Sequence, residues 1–501
     1  MKKCRLEYNG KIYDAEEGGN LGAFLRALGF EGFVCGGHGK CGKCRVICRG
    51  ALSAPSGAEI AALSADELSS GVRLSCMTRI LGDCVVNTIA AGKSEIETDG
   101  DLPEITLSPV FKKYGAAVDI GTTTVALRLY GADGAVLSVQ SALNPQRRFG
   151  ADVVTRMEAA LKGEKTALAA VIRECICSLL RQAADGAGVS SDDIDGVVIT
   201  GNTVMLHLLT ETDTEPLTHA PFDAKRLFGE VITASDIGLT VLNQETRVYI
   251  PRCVSAFVGA DTVTALISSE SYKSEKTSVL TDVGTNGETV LIHGGGLFAC
   301  STAAGPAFEG AGISMGMGGS EGAVDKVTVK DGKLSAHVIG DKTPVGICGS
   351  GIVDAAAALA ELEIIDETGY MEDGEAVIIP PVVITQNDIR AVQLAKSAIR
   401  AGIMTLLDTR GISTSEVDTL YIAGGFGSYL DVKNAARIGL IPSELSGRVK
   451  VLGNAALSGA SAILLSSGLF ERANELARGV NIVGLASNPV FVREYTDGMY
   501  F

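Results

Sequence analysis

Polar and apolar residues alternate over residues 3–8, and residues 11–14 read as a second short strand across Asn9-Gly10. The chain is therefore expected to open with two strands joined by a tight hairpin. Asn20 precedes an apolar-patterned run from Leu21 to about Leu28, with Gly29 after it. That predicts a helix with a side-chain cap at its start and a glycine at its end. Gly82 to Ile89 reads as a closing strand. Further on, Ala116–Ile120 and Val125–Tyr130 are buried-looking strands separated only by a short polar turn, and the same strand–turn–strand pattern returns over Val279 to Ile292. Val197–Thr200 and Thr419–Ala423 are two more buried strands. Ile352–Leu362 predicts an alanine-rich helix, Gln386–Leu407 a long amphipathic one, and Ala455–Leu465 a helix of small and apolar residues. The last two read as core.

The chain has 501 residues, more than one ordinary core can use, and a length prior gives about three domains. Residues 90–113 are small, charged and proline-bearing. Such a stretch is expected to act as a linker that buries no core. It would leave residues 1–89 free to move relative to residues 114–501. The net charge of −16 argues against a nucleic-acid partner. No uncharged apolar run reaches about 18 residues, so no membrane span is expected. The start, Met-Lys-Lys-Cys-Arg-Leu-Glu-Tyr, lacks the apolar segment of a signal peptide. A cytoplasmic location follows as the expectation. Twelve cysteines in a reducing compartment then read as ligands and buried thiols.

Four of those cysteines form a pattern. Cys35, Cys41 and Cys44 have C-x5-C-x2-C spacing within a glycine-rich loop, and Cys76 follows later. This is a near neighbour of the plant-type [2Fe–2S] arrangement. Glycines between the ligands allow the backbone to wrap closely around a small cluster. A structural zinc site would pair C-x2-C with a second close pair, and Cys76 stands alone. His38 lies in the loop and reads as a solvated residue, because a Rieske-type centre needs two histidines in place of two cysteines. Cys4, Cys48 and Cys84 fall outside the set. Cys48 has two readings, a swapped ligand or a buried thiol, and the second is favoured. Lys40, Lys43 and Arg45 surround the loop, either as a solvated face or as a docking patch for an acidic redox partner.

The two strand–turn–strand units carry the second chemistry. The first turn reads Asp119-Ile120-Gly121-Thr122-Thr123 and the second Asp282-Val283-Gly284-Thr285-Asn286. Glycine lets backbone N–H groups face phosphate oxygens, and threonine hydroxyls add donors. The aspartates can hold Mg²⁺ through its water shell. Two copies suggest two related lobes. A third glycine turn, Gly424-Gly425-Phe426, follows the strand Thr419–Ala423 and would admit a flat ligand such as adenine and its ribose.

The hairpin, helix, cysteine loop and late fourth cysteine resemble the β-grasp ferredoxin fold. The ordered set Asp-x-Gly-Thr, Asp-x-Gly-Thr-Asn-Gly and Ala-Gly-Gly-Phe-Gly resembles the phosphate and adenosine motifs of the acetate kinase, sugar kinase, heat-shock ATPase and actin (ASKHA) superfamily. Nearly the whole chain is similar to the reductive activators of corrinoid-dependent enzymes. Supporting stretches are Asn144-Pro145-Gln146, Gly201-Asn202-Thr203, Cys300 through Gly310, Gly346 through Gly351, and Gly453-Asn454-Ala455-Ala456-Leu457.

The resemblance implies an α/β multidomain protein: a ferredoxin domain over 1–89, a linker over 90–113 and a two-lobed nucleotide-binding domain over 114–501. It implies a [2Fe–2S] cluster on Cys35, Cys41, Cys44 and Cys76, with ATP and Mg²⁺ in the large domain. Asp119 and Asp282 would hold hydrated Mg²⁺. Gly121, Thr122, Thr123, Gly284, Thr285 and Asn286 would cradle phosphates, and Gly424, Gly425 and Phe426 would face the nucleoside. The expected activity is ATP-dependent delivery of one low-potential electron to a Co(II) corrinoid protein of a methyltransferase system, from an unidentified donor. Homodimerisation through the large domain is implied by the family alone. One departure stands out: near Tyr249–Ser255, where related ATPases carry a catalytic carboxylate, there is none. Either Asp261 serves, or hydrolysis is slow. The competing readings are a small-molecule kinase with a redox-sensing ferredoxin domain, and an activator of another low-potential enzyme.

Overall fold

Strands β1 (Lys3–Tyr8) and β2 (Lys11–Glu16) pair antiparallel around Asn9 and Gly10, both at positive φ (48° and 80°). That backbone is the two-residue turn whose twist matches a hairpin. In this computed structural model, residues 3–28, 30, 39, 44–63, 65–88, 98, 100–425 and 429–501 are described. They divide into two compact units: Met1–Lys93 with Pro145–Ala159, and Ser94–Asn144 with Ala160–Phe501.

In the first unit, helix α1 (Leu21–Ala27) starts where the sequence predicts. The Asn20 side chain accepts from the Ala23 N–H. Strands β3 (Arg45–Leu52), β4 (Val72–Leu74) and β5 (Ile80–Thr88) complete a five-stranded sheet of order β2-β1-β5-β3-β4. Strand β5 runs parallel to β1 and antiparallel to β3. Leu6, Leu21, Leu25, Val46, Ile80 and Val86 form the core, and Cys48 and Cys84 belong to it. Burial pushes the Cys48 thiol up to about 12 and Cys84 to about 11. Cys48 is thus a buried thiol, the favoured reading.

The second unit contains two six-stranded sheets built to one plan. In the first, β6 (Tyr114–Ile120), β7 (Thr124–Gly131) and β8 (Val136–Leu143) form an antiparallel meander, and β9 (Ile194–Gly201) lies parallel to β6. Strands β10 (Glu230–Thr233) and β11 (Arg247–Ile250) extend it to the order β10-β11-β9-β6-β7-β8. The second sheet repeats the meander with β12 (Ser278–Val283), β13 (Gly287–His293) and β14 (Gly296–Thr302). After the smaller strands β15 (Ala323–Lys330), β16 (Lys333–Val338), β17 (Gly346–Ile347), β18 (Glu375–Ile379) and β19 (Val382–Thr385), strand β20 (Thr419–Ala423) lies parallel to β12. With β21 (Val449–Gly453) and β22 (Val480–Ile482) the order is β21-β20-β12-β13-β14-β22. Each aspartate of the repeated motif sits one residue before the end of the leading strand, Asp119 in β6 and Asp282 in β12. The long predicted helices appear as Gly349–Glu361, Gln386–Thr409 and Ala455–Leu465.

The stretch read from composition as a linker departs from that reading in its described part. Phe111 is buried. A Cβ on Gly115 would meet its ring at 2.4 Å, and one on Gly196 would meet its Cβ at 2.8 Å. Gly115 and Gly196 are cross-strand partners in β6 and β9, so the two glycines open a slot for the ring. Upstream, Arg128 donates to the carbonyls of Thr98 and Gly100, and Ser108 N–H donates to Leu465 O at 2.9 Å. The segment 100–113 is thus fastened to the second unit, and one aromatic outweighs the polar composition around it.

Candidate cluster and nucleotide sites

Cys44 and Cys76 are brought together by the first unit. Cys44 precedes β3 and Cys76 follows β4, and these strands pair with Arg45 opposite Leu74. The two Sγ atoms lie 3.1 Å apart in a buried position. The Cys76 thiol beside it pulls Cys44 down to about 7 against its burial. A thiol so poised converts readily to the thiolate that binds metal.

The Cys76 loop is fixed from several sides. Asn20 Nδ2 donates to Cys76 O at 2.8 Å, and Ser75 N–H and Oγ both donate to Cys44 O, at 3.0 and 3.1 Å. Glu59, fully buried on helix α2 (Gly57–Ala62), accepts from Arg73 Nε and Nη2, Leu74 N–H and Thr78 Oγ1. Two sulfurs converging in an apolar, hydrogen-bonded frame fit half of a four-thiolate cluster shell. Cys35 and Cys41, with His38, Lys40 and Lys43, lie outside the described residues. Arg45 is ion-paired with Glu67 at 3.1 Å, so part of the basic collar is neutralised locally.

In the second unit the two hairpins and two asparagine-capped helices converge. Gly121 O accepts from Asn144 Nδ2 at 2.8 Å, and Thr122 Oγ1 accepts from Asn202 Nδ2 at 3.2 Å. Asn202 also caps the helix Thr203–Leu209. Asn454 caps the helix Ala455–Leu465 and donates from Nδ2 to Asp119 Oδ2 at 3.2 Å. Gly424 has φ +98°, and a Cβ there would stand 2.6 Å from Asp282 Oδ1 and 2.7 Å from Val283 O. Only glycine lets this turn press against the second aspartate. Gly425 is exposed beside it, and Phe426 lies outside the described residues. Gly259 plays the matching part at the other carboxylate: a Cβ would meet Asn202 Cα at 2.5 Å and Asp261 Oδ1 at 2.6 Å.

The carboxylates share one electrostatic environment. Burial raises Asp119 to about 7, with Asp261 and Asp282 adding to it. Burial likewise raises Asp282 to about 7, helped by Asp261 and Glu309, and raises Asp261 to about 6. Glu288, cross-strand partner of Asp282, is pushed well above the ordinary range by burial and by Asp261 and Asp282. Four such groups close enough to couple repel one another, and a hydrated divalent cation would relieve that repulsion. The carboxylates suit Mg²⁺ held largely through water, and the hairpin N–H and threonine O–H groups are the donors phosphate would take, some of them engaged by Glu309.

Sequence reasoning thus finds Asp119, Asp261 and Asp282 in one group. It misses Glu288, Asn202, Asn454 and Glu309 as parts of the site. Glu309 accepts from the Thr285 N–H at 2.8 Å, from Thr285 Oγ1 at 3.1 Å and from Thr123 Oγ1.

Comparison with known proteins agrees with this geometry. Residues 6–81 match a 2Fe-2S iron-sulfur cluster binding domain, residues 114–274 the RACo middle region, and residues 276–501 the C-terminal ASKHA domain of RACo. The corrinoid activation enzyme RamQ of Eubacterium limosum is 36% identical over 424 residues, covering 77% of this chain and 70% of RamQ. The [Co(II) methylated amine-specific corrinoid protein] reductase of Methanosarcina barkeri is 25% identical, covering 73% of each chain. A solved reductive activator for a corrinoid, iron-sulfur protein superposes with a TM-score of 0.72 at 26% identity, over 99% of this chain and 98% of that one. Among the described residues no helix is long and apolar enough to cross a membrane. A 2Fe-2S-binding domain and an ASKHA domain in one chain, with RamQ as a relative over most of its length, mean that the protein belongs to the RACo family of reductive activators for corrinoid proteins.

Proposed function

We propose that the protein uses ATP to deliver one electron at low potential to a Co(II) corrinoid protein, restoring Co(I). The observation that carries this reading is the pairing, in one chain, of the converging Cys44 and Cys76 thiols with a second unit whose two Asp-x-Gly-Thr hairpins face a shared carboxylate group. Cys35, Cys41, Cys44 and Cys76 hold the cluster. When bound, a plant-type [2Fe–2S] centre supplies a one-electron carrier near about −400 mV. Asn20, Ser75 and Glu59 keep the Cys44 and Cys76 sulfurs in place.

In the nucleotide site, Asp119 and Asp282 hold hydrated Mg²⁺. Gly121, Thr122, Thr123, Gly284, Thr285 and Asn286 bind the phosphates, and Gly424, Gly425 and Phe426 face the nucleoside. Asp261, which accepts from the Thr262 N–H at 2.7 Å, is the carboxylate we assign to orienting an attacking water. Raised to about 6, Asp261 is mostly ionised near neutral pH and more basic than an ordinary carboxylate. Slow turnover would suit nucleotide binding used as a switch. Each ~59 mV of uphill gap costs tenfold in a one-electron equilibrium, and ATP offsets that gap by binding differently to two conformations of the complex with the corrinoid protein. The family resemblance implies that the working form is a homodimer. The yield of Co(I) from reduced protein, with and without Mg-ATP, tests the reading.

A further inference from the structure

Glu309 gives one carboxylate oxygen to each phosphate hairpin. Its Oε1 accepts from the N–H and Oγ1 of Thr285, and its Oε2 accepts from Oγ1 of Thr123. Those three donors belong to the set that the proposed nucleotide site offers to phosphate. A carboxylate and a phosphate are both oxyanions, and they compete for the same N–H and O–H groups.

The backbone that carries Glu309 is held firmly. Its turn, Ala307–Glu309, buries Ala307 and Phe308. Gly305 N–H donates to Thr285 O at 2.8 Å, and Gly310, at φ +74°, would meet Met317 N at 2.7 Å if it carried a Cβ. Only the Glu309 side chain is left to move.

We infer that Glu309 competes directly with a nucleotide phosphate for the threonine donors of both hairpins, and so sets the affinity and the phosphate selectivity of the site. This rests on the nucleotide reading of the second unit. Nucleotide with a phosphate chain must turn the Glu309 side chain away, breaking three hydrogen bonds and then placing negative charge beside a carboxylate. A ligand without phosphate meets no such competition. Glu309 also ties Thr123 of the first sheet to Thr285 of the second. Its displacement by phosphate therefore exchanges one link between the two hairpins for another.

The test is isothermal titration of Mg-ATP and, separately, adenosine into the full cluster-bearing chain, as wild type, Glu309→Gln and Glu309→Ala. The glutamine variant keeps size and removes charge, which guards against loss of folding in the alanine variant. Its cluster absorbance and melting curve serve as the folding control. Glu309→Gln is expected to bind Mg-ATP about tenfold more tightly, the scale of roughly one lost charge-assisted hydrogen bond, with adenosine affinity unchanged. Wild type that binds Mg-ATP, with a glutamine variant that binds it equally or more weakly, overturns the inference and leaves the nucleotide site standing. Wild type that binds neither ligand overturns the nucleotide reading and the inference together.

Discussion

The Sγ atoms of Cys44 and Cys76 lie 3.1 Å apart, although 32 residues separate them in sequence. A disulfide would bring them to about 2.0 Å. Two thiolates on one tetrahedral metal, each about 2.3 Å from it, stand somewhat further apart than these two do. At 3.1 Å the sulfurs are too far apart for a disulfide and closer than two thiolates on one metal, and we take both as ligands of the proposed cluster. Cys76→Ala is therefore expected to lose most bound iron and the visible absorbance of the cluster while keeping wild-type affinity for Mg-ATP. Full iron content in the variant would remove Cys76 from the ligand set.

The pH dependence of the nucleotide site has a defined sign. Asp119 and Asp282 stand near 7 and Asp261 near 6, against an ordinary value of 3.8. Between about pH 4 and pH 7 the folded protein binds more protons at these groups than the unfolded chain does. Their contribution to stability therefore falls as pH rises through that window. The proposed Mg²⁺ would bind the ionised forms and offset the loss. The melting temperature gained on adding Mg²⁺ should be larger at pH 8 than at pH 6. Calorimetry at the two pH values checks this, and an equal or larger gain at pH 6 would contradict it.

Glu59 and Arg73 form a buried, bidentate ion pair, at 2.9 and 3.0 Å, whose carboxylate also accepts from Leu74 N–H and Thr78 Oγ1. Burial works against the Glu59 charge, but Arg73 and the Ser56 N–H hold it below the ordinary range. Glu59→Ala would leave the guanidinium buried without its partner. A cost of about 3–5 kcal/mol is expected, read as an earlier loss of cluster absorbance in urea. An unchanged midpoint would show that the pair does not secure the Cys76 loop.

What the sequence made legible was local. Asn20 before Leu21, Asn9-Gly10 between alternating strands, and Asp-Val-Gly-Thr inside a hairpin each specify backbone geometry within a few residues. Asp119 and Asp282 were consequently placed on matching strand ends. Asn454 is not legible as a site residue, because its bond to Asp119 spans 335 residues and depends on the helix Ala455–Leu465 packing against β6 of the other sheet. Glu309 is 24 residues beyond Thr285, and nothing near it in sequence says that its turn folds back over the hairpin. Glu288 is within reach of sequence reasoning: it is the first charged residue after Asn286-Gly287, the one acidic residue on its strand, and hairpin register puts it opposite Asp282. Phe111 was hidden in a polar stretch because its slot is made by Gly115 and Gly196, which meet only when β9 pairs with β6.

Nucleotide binding is proposed to drive the electron to cobalt. The direct measurement is anaerobic: reduce the cluster-bearing protein, mix it with a cognate Co(II) corrinoid protein, and follow the Co(I) absorbance with and without Mg-ATP. A rise in Co(I) that depends on Mg-ATP is expected, and it should be lost in Cys76→Ala and in Asp119→Asn. Equal Co(I) with and without Mg-ATP, in protein whose iron content is full, would contradict it.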